Sequence, residues 1–420
     1  MRRALTLLLA LLVLAAAAVW ALNRRGESPL TQAPWQPTPE QIQRGAYLAN
    51  AGNCAACHTA RGGAPYAGGS GIATPFGTVY TSNLTPDRSG LGEWTPAEFW
   101  RALHNGRSRD GHLLYPAFPY PSYTQVTRDD SDALFAYLRS LPAVAQPNRP
   151  HALRFPYDSQ AALAVWRALY FKPGSYVPDA KQDAEWNRGA YLVRGLGHCI
   201  ACHGARNRLG ATSESVELSG GLIPMQNWYA PSLGDPAEAG VAHWAKQDVV
   251  DLLRNGINAR GASVMGPMAE VVYRSTQHLS PADLQAMASF LQHLPQVRHE
   301  AADAAPRDRR LIERGGEVYK QHCASCHGDG GEGAAGAYPP LKGNRAVTME
   351  PPANLVRVVV NGAFAPATAG NPRPYGMPPY VHVLEDRDIA AVLSFIRNAW
   401  GNSATTVSEL QVLQFKQGHE

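Results

Sequence analysis

Cys54-Ala55-Ala56-Cys57-His58, Cys199-Ile200-Ala201-Cys202-His203 and Cys323-Ala324-Ser325-Cys326-His327 are three copies of one pattern, and together they use all six cysteines of the chain. Cys-x-x-Cys-His attaches c-type haem: the two thiols form thioethers to the porphyrin edge, and the histidine that follows is set beneath the ring as proximal iron ligand. Paired cysteines have two other readings. Six cysteines in an exported chain can form a disulfide framework, and Cys-x-x-Cys units can hold zinc. Disulfide frameworks belong mostly to short chains, and this one has 420 residues. Zinc gives no reason for a histidine directly after each second cysteine, three times. The expectation is three covalently bound haem c groups on Cys54, Cys57, Cys199, Cys202, Cys323 and Cys326. His58, His203 and His327 are then the proximal metal ligands.

Each motif sits inside a longer repeat. Ahead of it comes a Gly-aromatic helical signature: Arg44-Gly45-Ala46-Tyr47-Leu48, Arg188-Gly189-Ala190-Tyr191-Leu192, and Arg314-Gly315-Gly316-Glu317-Val318-Tyr319. Well after it comes an amphipathic segment ended by a stop signal: Asp132 to Leu141 before Pro142, Asp283 to Leu294 before Pro295, and Asp388 to Trp400 before Gly401. Leu134, Tyr137, Leu138 and Leu141 share one face, as do Leu284, Met287, Phe290, Leu291 and Leu294, and Ile389, Val392, Phe395 and Ile396, the three-and-four spacing of a helix. The expectation is a small helical domain closed by its two ends. Its opening glycine admits an aromatic of the last helix, so Tyr137, Phe290 and Phe395 are core residues without a redox role.

Pro-rich Pro142–Pro156 and Ala/Pro-rich Gln296–Arg310 read as linkers. The chain divides into an anchor or signal at 1–30, domains at 38–145, 181–296 and 311–402, linkers at 146–180 and 297–310, and a tail at 403–420. Ala161–Phe171 in the first linker reads as a helix bridging domains one and two. In the tail, Val407, Leu410, Val412, Leu413 and Phe415 form an apolar docking strip. At about 100–200 residues per domain the length suits two to four domains. The 39 glycines and 33 prolines make much of the chain turn and loop, as small cofactor-filled domains require. A net charge of +4, from 38 basic and 34 acidic residues, gives no reason to expect a nucleic-acid partner.

Met1-Arg2-Arg3 precedes an apolar run from Ala4 to Leu22, followed by Asn23-Arg24-Arg25. A basic start before an apolar stretch is an export signal, and this one is long enough to span a bilayer. Ala16-Ala17-Ala18 offers a cleavage site, but Val19 and Trp20 prolong the apolar run, so the expectation is an uncleaved anchor. That puts the chain at the inner membrane with its haem domains on the periplasmic side, where c-type haem is attached.

Iron usually takes a second ligand, and a thioether raises its reduction potential. The chain has seven methionines. Tyr375-Gly376-Met377-Pro378-Pro379, just before the third closing helix, makes Met377 the distal candidate there, with Met349 the alternative. Met265-Gly266-Pro267-Met268 makes Met268 the candidate in the second domain, and Met265, Met287 and Met225 read as packing. From Thr59 to Gly221 there is no methionine. The corresponding loop, Tyr115-Pro116-Ala117-Phe118-Pro119-Tyr120-Pro121, puts Phe118 where a ligand is expected, and a phenyl ring cannot bind iron. The first haem then has another sixth ligand, with His112 and His104 as local candidates, or none. Both histidines also read as ordinary polar residues.

Further segments accompany the motifs: Thr74-Pro75-Phe76-Gly77-Thr78, Ser82-Asn83-Leu84-Thr85-Pro86, Trp228-Tyr229-Ala230-Pro231, Gly266-Pro267-Met268-Ala269-Glu270 and Asn398-Ala399-Trp400-Gly401-Asn402. With these the chain, from about residue 40 onward, resembles the triple-haem cytochrome c subunits of membrane-bound periplasmic dehydrogenases for alcohols, gluconate, sorbitol or fructose. Tyr-Pro-Ala-Phe-Pro-Tyr also resembles cytochromes that accompany molybdenum hydroxylases. The resemblance implies a mainly α fold of three tandem class I cytochrome c-like helical haem domains behind an N-terminal membrane helix. It implies proximal His58, His203 and His327 and distal Met268 and Met377. Phe118 departs from the pattern, where many members have Met. The implied partner is a dehydrogenase catalytic subunit of flavin, quinoprotein or molybdenum type, and the acceptor is ubiquinone or a terminal oxidase. On this reading the chain is not itself catalytic on the organic substrate. No Rossmann fingerprint, Gly-x-Ser-x-Gly elbow or His-Glu-x-x-His helix is present. The alternative is a haem enzyme, or a peroxide- or gas-binding protein, using an open first haem.

Overall fold

The computed structural model describes residues 1–30, 35–212, 216–297 and 308–416. The chain forms two compact units: Met1–Ala180 with Tyr191–His198 and Arg208–Ala211, and Lys181–Ala190 with Cys199–Asn207 and Thr212–Glu420. Helices dominate, and the longest described strands have four residues. Most of the linker expected at 297–310 lies outside the described residues.

The three opening helices are Pro39–Ala51, Ala184–Arg194 and Arg309–His322. The closing helices are Arg128–Ser140, Pro281–Gln292 and Asp386–Ile396, each beginning two to four residues before its sequence estimate. Local chemistry sets these starts. Thr38 and Gln41 form a reciprocal capping box, and the Thr127 and Ser280 hydroxyls accept from the Asp130 and Asp283 amides. Such caps satisfy backbone N–H groups that the first turn leaves unpaired.

Opening and closing helices cross where the glycine stands. A methyl at Gly45 would lie 2.7 Å from Cβ of Tyr137 and closer still to the Ala133 carbonyl; at Gly189 it would lie 2.9 Å from Cβ of Phe290, and at Gly315 2.7 Å from Cβ of Phe395. Only a residue without a side chain lets the backbones meet this closely. The aromatics follow the sequence reading as packing groups: Phe290 is buried, and Tyr137 and Phe395 pack against the cores of the first and third domains.

Beside each glycine lies an ion pair that links the same two helices. Arg44 reaches Asp130 at 2.5 Å, Arg188 reaches Asp283 at 2.7 Å and Arg314 reaches Asp388 at 2.6 Å. The Asp130 carboxylate is almost wholly buried and also accepts a 2.5 Å hydrogen bond from the Tyr191 hydroxyl. The arginine stays more than half exposed, so the buried carboxylate depends on both partners to satisfy its lone pairs.

Small antiparallel sheets brace the loops. Gly71–Thr74 pairs with Gly77–Tyr80, and Ala152–Leu153 adds a third strand. Gly221–Leu222 pairs with Tyr229–Ala230, and Ala363–Phe364 with Gly376–Met377. The Pro-rich stretch read as a linker is thus tied to the first domain. Asn83 fastens it further, its amide donating to the Val144 carbonyl at 2.8 Å and its backbone N–H to Asn148 Oδ1 at 2.7 Å.

The N-terminal helix Arg2–Leu22 has no buried residue and is long and apolar enough to cross a membrane. Its foot is fastened. Asn23 donates to the carbonyl of Ala164 at 2.8 Å and accepts from Arg167 Nε at 2.9 Å. Arg167, almost completely buried, donates on to Asn105 and Gly106 carbonyls. It belongs to the helix Gln160–Tyr170, the bridging helix of the sequence reading, whose Trp166 donates to the Leu209 carbonyl after the second motif.

The tail packs inward. Val407, Val412 and Phe415 lie in the third domain's core, with Leu410 and Leu413 outside. Arg397, fully buried, holds this end together by donating to the carbonyls of Val347, Met349 and Thr405 at 2.8–2.9 Å, with Glu350 as its charge partner.

Candidate haem sites

All three Cys-x-x-Cys-His motifs wind into single short helical turns: Cys54–His58, Ile200–His203 after Cys199, and Ala324–His327 after Cys323. One turn brings two cysteines three apart onto one side with the histidine beneath. No disulfide joins any two of the six cysteines, so the disulfide reading does not apply. Among the described residues no group of three or more His, Cys, Asp or Glu side chains converges as a zinc cage needs. The thiols are also unlike those of a dithiol redox catalyst, which are held acidic. Burial, with the neighbouring thiol adding to it, pushes Cys54 and Cys199 up to about 12 and Cys323 up to about 11.

Each histidine is aimed by a backbone carbonyl. His58 Nδ1 lies 2.7 Å from the Ser82 oxygen, His203 Nδ1 2.7 Å from that of Pro231, and His327 Nδ1 3.1 Å from that of Pro339. A carbonyl can only accept, so Nδ1 carries the proton and Nε2 presents its lone pair, the tautomer a metal-binding imidazole needs. Burial lowers the proton affinity of all three rings, opposed by these carbonyl bonds. Near the second motif Arg206 has a buried Nη1 with no hydrogen-bond partner. Burial depresses its pKa, and the adjacent Cys202 opposes this. A guanidinium with a spare donor suits the carboxylates of a haem edge. Cysteines paired on one turn without a disulfide and an imidazole of fixed tautomer, joined at the second motif by a cation with a spare donor, fit covalent haem.

The distal candidates lie on separate elements. Met377 ends the strand Gly376–Met377, opposite Ala363, and packs on the third core with Cys323 and Tyr380. Met268 begins the helix Pro267–Arg274, after Gly266, whose positive φ and contact with the Trp228 ring leave no space for a side chain. Met349 and Met287 are buried; Met225 takes a positive φ.

Phe118 borders the first core together with Cys54 and stacks obliquely on Tyr123 at 5.4 Å. His104 is buried in the helix Pro96–Asn105, stacked on Trp100 at 4.4 Å with Nδ1 3.5 Å from the Thr124 hydroxyl. His112 is half exposed, its Nδ1 2.5 Å from Asp110. Sequence reasoning missed two tyrosines beside the thiols. Burial, then Cys54 and Cys57, hold Tyr123 protonated well above its usual range; burial, then Cys323 and Cys326, do the same for Tyr380. It also missed His198, whose buried ring bonds the carbonyl of Gly52 and meets Tyr123 edge-on at 5.6 Å. Its place directly before Cys199 was the available signal.

Tandem helical domains built around haem-attachment turns define a multidomain c-type haem protein. The cytochrome c family model matches residues 42–142, 187–295 and 312–400, and the chain belongs to that family. Cytochrome c domains carry covalently bound haem c. The chain is 38% identical to the alcohol dehydrogenase (quinone) cytochrome c subunit of Komagataeibacter europaeus, over 89% of this chain and 84% of that one. It is 36% identical to the gluconate 2-dehydrogenase cytochrome c subunit of Pantoea cypripedii, over 86% of each. It is 38% identical to a longer polypeptide of the nicotinate dehydrogenase of Pseudomonas putida, over 96% of this chain and 34% of that one.

Proposed function

We propose that this chain is the electron-carrying subunit of a membrane-bound dehydrogenase, taking electrons from a separate catalytic subunit and delivering them to ubiquinone or a terminal oxidase. One observation carries the reading: three attachment turns, each with two cysteines outside any disulfide and a histidine whose tautomer is set by a backbone carbonyl. Bound haem c supplies a ferric/ferrous couple that exchanges single electrons. The residues of the chain do the rest. Cys54 and Cys57, Cys199 and Cys202, and Cys323 and Cys326 tether three groups. His58, His203 and His327 would hold the irons, with Met268 and Met377 as second ligands to two of them. The catalytic partner is a dehydrogenase subunit of flavin, quinoprotein or molybdenum type; the alcohol, gluconate and nicotinate dehydrogenase relatives support a dehydrogenase partner. The helix Arg2–Leu22 anchors the chain in the inner membrane, with the haem domains in the periplasm.

Phe118, packed on Tyr123 beside Cys54, cannot bind iron, so the first site either takes His104 or His112 as sixth ligand or stays open, and the open case is the alternative of a haem enzyme or a gas- or peroxide-binding protein. A carbon monoxide difference spectrum of the reduced protein separates these: a shift marks an open first site, and no shift rejects it. The main reading is tested by isolating the full chain from membranes with whatever co-purifies. A dehydrogenase should accompany it, its substrate should reduce the haem bands and a ubiquinone analogue should reoxidise them. Haem bands that ignore every co-purifying enzyme and its substrate contradict the proposal.

A further inference from the structure

The helix Gln160–Tyr170 carries an apolar stripe on its outer side. Its inner side holds Leu163 and the buried Arg167. Its outer positions, Ala161, Val165 and Leu169, are one turn apart and all apolar, with Val165 48% and Leu169 65% exposed. A helix on a water-facing surface carries polar residues on that side, and an exposed apolar patch with neighbours marks an interaction surface. The patch has such neighbours. Trp166 bonds Leu209, itself 43% exposed, and Tyr157 stacks on Phe76 at 4.5 Å beside Phe155, 85% exposed. Through Asn23 and the Ala164 carbonyl, this helix is fastened to the foot of Arg2–Leu22.

We propose that the outer face of Gln160–Tyr170 lies in the lipid headgroup and upper acyl region, as a second membrane contact beside the anchor. The inference rests on the membrane reading of Arg2–Leu22. Continuity with that helix selects the occupant, because a face fixed at the foot of a spanning helix is held at the bilayer surface. Composition agrees. Trp20 is in the last turns of Arg2–Leu22 and Trp166 is on the face-bearing helix itself, the residue type enriched in interfacial belts. Arg24, Arg25 and Lys172 are exposed around the same foot, placed for anionic headgroups. The consequence is positional: with two contacts the first haem domain cannot swing freely about a single tether, and is held close to the membrane where a quinone would be met.

The test uses the intact holoprotein in nanodiscs of phosphatidylethanolamine and phosphatidylglycerol doped with a lipid bearing a photoreactive diazirine in its acyl chain. Adducts are mapped by peptide mass spectrometry. Adducts are expected on the peptide containing Val165 and Leu169 as well as on Arg2–Leu22. The double substitution Val165→Glu, Leu169→Glu changes only exposed positions. It should reduce adducts on that peptide at least tenfold, because withdrawing two apolar side chains from lipid disfavours the contact by more than a tenfold change requires, while those on Arg2–Leu22 persist. Adducts confined to Arg2–Leu22 overturn the inference alone and leave the face to a protein partner. Adducts on neither segment overturn the membrane reading and the inference with it.

Discussion

Replacing Gly45 by alanine tests whether close helix crossing organises these domains. The new methyl would sit 2.7 Å from Cβ of Tyr137, and the nearer obstacle is the Ala133 backbone carbonyl. Carbon atoms rest about 3.5–4.0 Å apart, so Pro39–Ala51 and Arg128–Ser140 must separate by about 1 Å. Overfilling a packed core costs roughly 1–3 kcal/mol. The upper end applies, because backbone cannot turn aside as a flexible side chain can. Alanine's better helix propensity returns about 1 kcal/mol. The net loss is about 2 kcal/mol, or about a thirtyfold rise in opening. Native-state hydrogen exchange on the full-length protein reads it locally: the slowest amides of both helices should exchange about thirtyfold faster. Gly174→Ala is the control, since nothing lies within 4 Å of its added carbon; it should change stability by no more than about 0.5 kcal/mol. If Gly45→Ala exchanges at the wild-type rate or slower, as an alanine at an unconstrained helix position would, the crossing argument is wrong.

Three other outcomes follow from the same geometry. Arg397→Met should destabilise the third domain by about 3–5 kcal/mol, because Glu350 loses its partner and the carbonyls of Val347, Met349 and Thr405 lose their donor; urea unfolding followed at the third domain's tryptophan, Trp400, measures it. His104 is buried and its pKa falls below 6.5, burial outweighing the Thr124 bond. The unfolded chain therefore takes up the proton first, and stability declines as pH drops through about 6.5 towards the folded-state value. His104→Gln should flatten that decline between unfolding curves at about pH 7.5 and about pH 5.5, and an unchanged slope would remove His104 as its source. Met377→Leu should lower the reduction potential of one haem and leave the others in place in a spectroelectrochemical titration; an unaltered titration removes Met377 from the ligands.

Much of this architecture was written locally, and so was readable. The motifs, the Gly-aromatic signature and the closing helices depend on neighbours within one or two turns. Helix starts were misjudged by two to four residues because the capping hydroxyls of Thr127 and Ser280 lie outside the apolar pattern that located the helices. What escaped depends on distant partners. Arg44 reads as a solvated charge until Asp130, 86 residues on, is brought beside it. Arg167 stands on a helix like any surface arginine, and its burial is set by Asn23 and by carbonyls of another helix. The apolar strip of the tail was visible, but its partner was not: Val407, Val412 and Phe415 complete the core of the third domain. The paired role of Tyr123 and Tyr380 needs the thiols in place beside them. Pro142–Pro156 has a linker's composition, yet Asn83 and a strand pairing bind it down.

The central claim is that six thiols are committed to porphyrin. Peptide mass spectrometry on protein isolated from its native membranes, after exposure to an alkylating reagent under denaturing conditions, tests it directly. The account predicts one haem on each of the three peptides spanning 54–58, 199–203 and 323–327, and no alkylated cysteine. Alkylation at any of these pairs, with the bare peptide mass, contradicts it.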